Sequence, residues 1–334
     1  MNKKESLEYW AGKTPAAVAI VDGDRGLTFS EWNRTANKLA NALKSMGFKP
    51  DDKIAVRMHT RWEWNVVHQA LAKIGARQVA VNWKLTPQEA RYIVEDSGAK
   101  GVIFDDEPPE DLLQHWKDLP LKMFISVAPA AFSKCLYLQD VIEKGSEEKL
   151  VSKGPTRMIY YTSGTTGKPK GALLSDDTLR SKLKEILEYI EDMSSNAPLS
   201  ANRKVLMAMP MHHGAGPLAS DNCMRAGGTL YLMRKYDAEK ALQLISDHGI
   251  TIWPCVPTML NRLQALGKER LAEYDVSSME LISIGAAAVP FSLKKFIIDY
   301  FGPHCLYENY GVTEVGMVTR ISPEDQLPHL PGDR

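Results

Sequence analysis

The chain carries the stretch Tyr160-Tyr161-Thr162-Ser163-Gly164-Thr165-Thr166-Gly167-Lys168-Pro169-Lys170-Gly171, which follows directly on the apolar, strand-like residues Met158 and Ile159. Glycines allow backbone N–H groups to converge on an anion, and hydroxyl side chains add further donors. Lysines contribute mobile positive charge. The stretch therefore predicts a loop, at the end of a strand, that binds a polyphosphate.

This loop differs from the two common nucleotide-binding loops. A Walker sequence needs four residues between its glycines, and then Lys followed by Ser or Thr at a helix start. Here only Thr165 and Thr166 separate the glycines, and Lys168 is followed by Pro169, which lacks the N–H that a helix start would supply. The stretch does not match the dinucleotide pattern G-x-G-x-x-G either. An ordinary polar loop between two strands is the alternative interpretation.

Strand-like and helix-like segments alternate over most of the chain. Thr28 and Glu31 form a capping-box pattern before a helical run that Gly47 ends. A strand at 54–58 precedes a helix at 62–74 that ends at a glycine. Such alternation predicts an α/β fold with a largely parallel sheet covered by helices, and sites at the carboxyl ends of the strands.

Composition limits the classes of protein to consider. The chain has 334 residues, 44% of them apolar, which is enough for a large core. Its 41 basic and 41 acidic residues balance, which argues against a nucleic-acid-binding face. No apolar run is long enough to span a membrane, and the four separated cysteines predict buried thiols rather than disulfides. We expect a cytoplasmic protein with no integral membrane contact.

A pair of histidines follows the strand-like segment 205–209, in the stretch Met209-Pro210-Met211-His212-His213-Gly214-Ala215-Gly216. A metal site is one interpretation. Adjacent residues of an extended loop point apart, however, and no third ligand is near in sequence. Two ordinary loop histidines are the alternative.

Small residues end another strand, in Ser283-Ile284-Gly285-Ala286-Ala287-Ala288. They would let a planar base or an acyl chain approach the backbone. Tight packing between strand and helix explains such a run equally well.

The stretch Tyr307-Glu308-Asn309-Tyr310-Gly311-Val312-Thr313-Glu314 is a second signal. Tyr310 offers a face for stacking on a purine, and Gly311 permits a sharp turn. Thr313 offers a hydroxyl to phosphate, and Glu314 is a hard oxygen ligand suited to Mg²⁺. A surface turn is the alternative.

We assign a structural role, and not a catalytic one, to two further groups of residues. Asp105-Asp106 and Asp176-Asp177 could act as paired carboxylates, but we interpret both as parts of helix starts and solvated turns. Trp62 and Trp64 lie near a helix start, and we interpret them as packing residues.

Residues 161–171 resemble the signature loop of the adenylate-forming (AMP-binding) superfamily, which includes acyl-CoA synthetases, peptide-synthetase adenylation domains and luciferases. The resemblance extends over about 28–314 and implies two layered, mostly parallel sheets flanked by helices. It implies that the loop embraces the β- and γ-phosphates of ATP. Carried over by position, the hydroxyl donors are Thr162, Ser163, Thr165 and Thr166. Gly164 and Gly167 would allow close backbone approach, and Lys170 would neutralise charge.

The same resemblance assigns the remaining site residues. His213, with Gly214, would line the carboxylate and acyl site, and His212 stands where an aromatic residue is common. Walls of the adenine and acyl sites would be formed by Gly285, Ala286 and Ala287. ATP would also contact Asn309, Tyr310, Gly311 and Thr313. Catalytic roles fall to Thr162, His213 and Glu314, with Glu314 holding Mg²⁺.

The implied reaction has two steps. A carboxylate attacks the α-phosphorus of Mg-ATP to give an acyl-adenylate and pyrophosphate, and the thiol of coenzyme A then displaces AMP. The expected partner is a small-molecule carboxylic acid, a fatty acid or another hydrophobic one. An adenylation domain that loads a carrier protein and a non-catalytic nucleotide-binding or scaffold protein are the alternatives.

The expected organisation is one subdomain over 1–154 and a second over 155–334 that contains the loop and the Tyr-Gly-x-Thr-Glu motif. The irregular segment 105–154 predicts the junction between them. The chain ends soon after Glu314, before the ribose-binding Asp and the small C-terminal lid, with its lysine, that the family implies. We therefore expect a truncated protein that binds nucleotide weakly and turns over slowly.

Overall fold

A computed structural model describes residues 6–107, 109–130, 132, 134–152, 157–162, 169–173, 203–312 and 316–326. The chain divides into two units, each built from segments that are distant in sequence. The first is Met1–Leu174 with Pro210–Arg225, and the second is Ser175–Met209 with Ala226–Arg334.

The first unit contains a hairpin and a seven-stranded sheet. The hairpin consists of β1 (Val18–Asp22) and β2 (Arg25–Thr28). The strands of the sheet are β3 (Lys53–Arg57), β4 (Arg77–Ala80), β5 (Gly101–Phe104), β6 (Met123–Ser126), β7 (Cys135–Tyr137), β8 (Arg157–Thr162) and β9 (Lys170–Leu173). They lie in the order β7-β6-β5-β3-β4-β8-β9 and pair in parallel, except that β8 and β9 are antiparallel. The carboxyl ends of β3, β4, β5 and β8 therefore share one edge.

The helices of the first unit are α1 (Leu7–Lys13), α2 (Phe29–Ser45), α3 (Trp62–Ile74), α4 (Pro87–Ser97), α5 (Pro109–Trp116), α6 (Leu138–Lys144) and α7 (Ala215–Arg225). The predicted capping box at Thr28 is confirmed, and α4 has a second one at Thr86. Helix α3 has the predicted bounds and ends at Gly75, whose φ of 73° is the left-handed geometry that favours glycine. These ends follow local rules of capping, which is why the sequence predicts them.

Apolar side chains of the first sheet and of α4 and α5 form a core. Trp116 is fully buried there, and its indole N–H donates to the carbonyl of Pro87 at 2.8 Å. The cluster also includes Val79, Val102, Phe104, Phe124 and Ile159. Trp62 and Trp64, assigned to packing, are 7% and 2% exposed. This core includes residues of α4 and of β8, the strand that directly precedes the predicted loop.

The segment 105–154 is more regular than predicted. It contains α5, β6, β7 and α6, and two of its strands continue the first sheet by pairing in parallel with their neighbours. The expectation of an irregular junction is wrong there because strands of three or four residues are too short for a periodic signal. The division of the chain at 154 and 155 stays a prediction, although the structure groups β8 and β9 with the first sheet.

The described residues of the second unit form six strands and several helices. Its elements are β10 (Lys204–Met207), β11 (Thr229–Leu232), α8 (Ala238–His248), β12 (Ile252–Cys255), α9 (Pro257–Gln264), α10 (Lys268–Leu271), β13 (Leu281–Gly285), α11 (Phe291–Phe301), β14 (Leu306–Val312), β15 (Gly316–Ile321) and α12 (Pro323–Gln326). The strand order is β15-β14-β13-β12-β10-β11, and only β14 and β15 are antiparallel. The predicted α/β class with mostly parallel sheets is confirmed.

Two expectations from composition can be compared with the structure. Over the described ranges, no helix is both long and apolar enough to cross a membrane. All four cysteines are free thiols, and Cys223, Cys255 and Cys305 are buried. The cytoplasmic location and the absence of a nucleic-acid partner stay predictions.

Candidate functional site

The predicted polyphosphate loop is carried by the hairpin of β8 and β9. Thr162, the last residue of β8, pairs with Lys170, the first residue of β9. Their side chains therefore flank the base of the loop, with Lys170 exposed to solvent. Because β8 is parallel to its inner neighbour β4, the loop leaves the sheet at the carboxyl edge. Ser163, Gly164, Thr165, Thr166 and Gly167 lie outside the described residues.

The histidine pair lies in the turn that leads into α7. His212 is buried, at 9% exposed, whereas the ring of His213 reaches solvent, and the two ring centroids are 4.3 Å apart. Burial, helped by the charges of His213 and Lys84, lowers the pKa of His212 to about 3. His212 is therefore neutral at pH 7, and its Nδ1 is buried without a hydrogen-bond partner. It can offer a ligand a neutral imidazole.

Glycines shape this turn. A Cβ on Gly216 would lie 2.5 Å from the carbonyl oxygen of Pro210, so only glycine fits there. A Cβ on Gly214 would meet nothing closer than the ring of Tyr160, at 3.9 Å. A Cβ on Gly214 would therefore make only an ordinary van der Waals contact, and the acyl-site role of Gly214 stays a prediction. Among the described residues no cluster of three His, Cys, Asp or Glu side chains could hold a metal ion, so the metal interpretation of the histidine pair gains no support.

Helix α7 is fixed to α3 by polar side chains that the sequence did not single out. The Ser220 hydroxyl lies 2.6 Å from Asn65 Oδ1, and Asp221 Oδ2 lies 3.4 Å from His68 Nε2. The other ring nitrogen of His68 contacts Gln78 Oε1 at 2.8 Å. Asn65 and His68 are three residues apart on a helix that is buried throughout. The available signal was the set of polar residues, Asn65 and His68 among them, on a helix that is buried throughout. The network holds α7, the helix that follows the histidine turn, against α3.

A charged cluster lies at the carboxyl ends of β3 and β5. The Arg57 guanidinium donates to both oxygens of Asp106, at 2.9 and 3.0 Å, and the His59 backbone N–H donates to Asp105 at 3.0 Å. Asp105 is 5% exposed. Burial opposes its charge, but the contacts with His59 and Arg61 outweigh burial and lower the pKa of Asp105. The expectation of a solvated turn is wrong for Asp105 and Asp106 because partners distant in sequence surround them; Asp176 and Asp177 lie outside the described residues.

In the second unit, two predicted stretches lie on adjacent parallel strands. Gly285 at the end of β13 pairs with Asn309 of β14, and a Cβ on Gly285 would lie 2.5 Å from the Asn309 carbonyl oxygen. The Asn309 amide donates to the Ser283 hydroxyl at 2.9 Å, while its Oδ1 is buried without a hydrogen-bond partner. The structure therefore brings Gly285 and Asn309 together and leaves a polar acceptor beside them.

The residues that follow these two lie at the surface of the second unit. Ala286 and Ala287 are exposed, and Ala286 has φ of 65°, a conformation that costs an L-residue roughly 1–2 kcal/mol. Tyr310 is 63% exposed, which leaves its ring free to stack on a flat ligand. Gly311 lies where the register of β14 and β15 shifts. Thr313 and Glu314 lie outside the described residues.

Comparison with known proteins identifies the family. The family model described as AMP-binding enzyme matches residues 7–332. The chain belongs to the AMP-binding enzyme family. The predicted membership of the superfamily is thereby confirmed.

Relatives and solved structures of this family differ in the acids that their names state. The chain is 28% identical over 333 residues to a 2-succinylbenzoate–CoA ligase of Bacillus licheniformis, covering 99% of this chain and 64% of that protein. It is 27% identical over 331 residues to the long-chain-fatty-acid–CoA ligase FadD13 of Mycobacterium tuberculosis, with 96% and 62% covered. The chain thus spans less than two thirds of these relatives.

Solved structures show the same fold. The o-succinylbenzoate CoA synthetase MenE from Bacillus subtilis, in complex with its acyl-adenylate intermediate, superposes with a TM-score of 0.77 at 22% identity, covering 97% of this chain and 62% of that one. The anthranilate CoA ligase AuaEII, in complex with anthranoyl-AMP, gives a TM-score of 0.81 at 23% identity, with 96% and 61% covered.

Proposed function

We propose that this chain takes part in the ATP-dependent activation of a carboxylic acid and its transfer to coenzyme A. The observation that carries the proposal is the placement of the family's stretches at the carboxyl ends of parallel strands, with Thr162 and Lys170 at the base of the loop and Gly285 beside Asn309. This is where ligands bind in open α/β sheets.

In the first step a carboxylate oxygen bonds to the α-phosphorus of ATP, the bond from that phosphorus to the bridging oxygen breaks, and pyrophosphate leaves. From the base of the loop, Thr162 would donate to the departing phosphates and Lys170 would neutralise their charge, since pre-positioned donors act on charge as it develops. Tyr310 supplies a face for the adenine. Mg²⁺, which Glu314 would hold, would supply charge neutralisation when bound.

In the second step the sulfur of coenzyme A bonds to the acyl carbon, AMP leaves, and the thiol proton is released. In this proposal the acyl site is bordered by Gly214, where a Cβ would make only an ordinary contact at 3.9 Å with the Tyr160 ring, and by the neutral ring of His212. We propose that the acid has an apolar body, as fatty and aryl acids do, with room for one polar contact at His212. The first step needs no general base, because the carboxylate is already ionised at neutral pH.

Pyrophosphate release with a panel of acids tests this function. Fatty, aryl and succinylated aryl acids are each supplied with Mg-ATP, with and without coenzyme A. We expect release that depends on the acid, and thioester only with coenzyme A. Thioester formed on a phosphopantetheinyl carrier protein instead would favour the carrier-loading alternative. Saturable binding of ATP without acid-dependent pyrophosphate would favour the non-catalytic one.

A further inference from the structure

Side chains of helix α4 contact both ends of the polyphosphate loop. On β8, the Tyr161 hydroxyl donates to Asp96 Oδ2 at 2.7 Å. Where the chain returns toward β9, the carbonyl of Pro169 accepts from the Tyr92 hydroxyl at 3.2 Å. Tyr92 and Asp96 are one turn apart on the same face of α4, with Tyr92 Oη 3.5 Å from Asp96 Oδ1. One face of one helix therefore spans both stems of the loop.

Both tyrosines keep their protons and act as donors. Burial and the hydrogen bond to Asp96 raise the pKa of Tyr161, and burial and the charge of Asp96 raise the pKa of Tyr92. The ring of Tyr161 is also confined from the other strand, since a Cβ on Gly171 would lie 3.2 Å from it. The stems are thus held by hydrogen bonds on one side and by close packing on the other.

We propose that Tyr92 and Asp96 are positioning residues for polyphosphate: they hold the two stems at the spacing that the loop needs in order to receive the β- and γ-phosphates. The inference rests on the proposed function of the loop. Neither residue is assigned a contact with the nucleotide. Ordering of backbone on binding costs free energy, and hydrogen bonds that fix the two stems beforehand reduce that cost.

If Asp96 served only to stabilise α4, Asp96→Ala would lower the melting temperature. Asp96 lies in the last turn of α4, where a negative charge is unfavourable to the helix dipole. Replacing it with alanine should therefore not weaken the helix itself. If Asp96→Ala weakens phosphate binding without lowering the melting temperature, its role is exerted through Tyr161 rather than through the stability of α4.

The test is calorimetric titration of the whole chain with three ligands: Mg-ATP, pyrophosphate and AMP. The variants are Tyr92→Phe and Asp96→Ala. The matched control is Tyr300→Phe, which also removes a half-buried hydroxyl that donates to a backbone carbonyl, at 2.9 Å, but in the second unit. We expect Tyr92→Phe and Asp96→Ala to weaken ATP and pyrophosphate by about three- to tenfold, the value of one hydrogen bond, and to leave AMP unchanged.

The outcomes separate the inference from the proposed function. Equal weakening of AMP and pyrophosphate, or no change beyond that of Tyr300→Phe, would overturn the positioning role while leaving the function intact. If the unaltered chain binds none of the three ligands, the proposed function fails. Amide hydrogen exchange tests whether Tyr92 holds the second stem of the loop. Faster exchange over 169–173 in Tyr92→Phe supports its positioning role, and unchanged exchange there overturns it.

Discussion

Replacing Gly285 with alanine tests the close approach of β13 and β14 at the proposed adenine wall. The new Cβ would lie 2.5 Å from the carbonyl oxygen of Asn309, a backbone atom that a side-chain rotation cannot remove. Ordinary contacts begin near 3.4 Å, so the two strand ends must separate by nearly an ångström. Overpacking of this kind costs about 1–3 kcal/mol. The φ of Gly285 is not positive, so the effect is one of contact and not of backbone strain.

Thermal unfolding and AMP titration measure the two consequences of Gly285→Ala. The matched control is Gly26→Ala on β2, where a new Cβ would meet nothing within 4 Å and φ is not positive. In Gly26→Ala the lower conformational entropy of the unfolded chain stabilises the protein by about 0.4–1 kcal/mol, and no clash opposes this gain. We expect Gly285→Ala to melt several degrees below Gly26→Ala and to bind AMP about fivefold more weakly, since about 1 kcal/mol lost from the bound state gives that factor. Equal melting temperatures and equal AMP affinities of Gly285→Ala and Gly26→Ala would show that a Cβ at Gly285 causes no clash.

Two further substitutions test the histidine turn and the strained alanine. His212→Phe removes a buried imidazole whose Nδ1 has no partner, so we expect a gain of about 1–2 kcal/mol in the free energy of unfolding at pH 7, measured by urea denaturation. Because the pKa of His212 is lowered to about 3, its side chain binds a proton below pH 6.5 more readily in the unfolded chain than in the folded one. The free energy of unfolding therefore falls from pH 6.5 toward pH 3, by up to about 1.4 kcal/mol per pH unit. In His212→Phe this slope should be shallower, and an unchanged slope would contradict the lowered pKa of His212. Ala286→Gly relieves the φ of 65° and should raise the free energy of unfolding by about 1 kcal/mol. A lower melting temperature would show that Ala286 makes a stabilising contact instead.

Local rules account for what the sequence predicted correctly. The capping box of α2, formed by Thr28 and Glu31, depends on residues within one helical turn, and so does the end of α3 at Gly75. The resemblance to the AMP-binding superfamily also rested on one continuous stretch, residues 161–171, and the family match confirms it. In each of these cases the signal lies within a few neighbouring residues.

Contacts between distant residues account for what the sequence missed. Asp105 is buried by His59 and Arg61, which belong to another strand end. Tyr161 meets Asp96 across 65 residues, and Tyr92 meets Pro169 across 77. No periodicity or motif encodes such pairs, because they follow from the order in which the strands enter the sheet. These contacts could therefore not be predicted from the sequence, whereas the signature stretch 161–171 could be recognised from its own residues.

Titration with a non-hydrolysable acyl-adenylate shows directly whether this chain carries an acyl-adenylate site. We expect saturable binding to one site on the chain, weaker in Gly285→Ala than in Gly26→Ala, because Gly285 lies in the proposed wall of the site. Absence of saturable binding would rule out the proposed site, and identical binding by the two variants would rule out Gly285 as part of its wall.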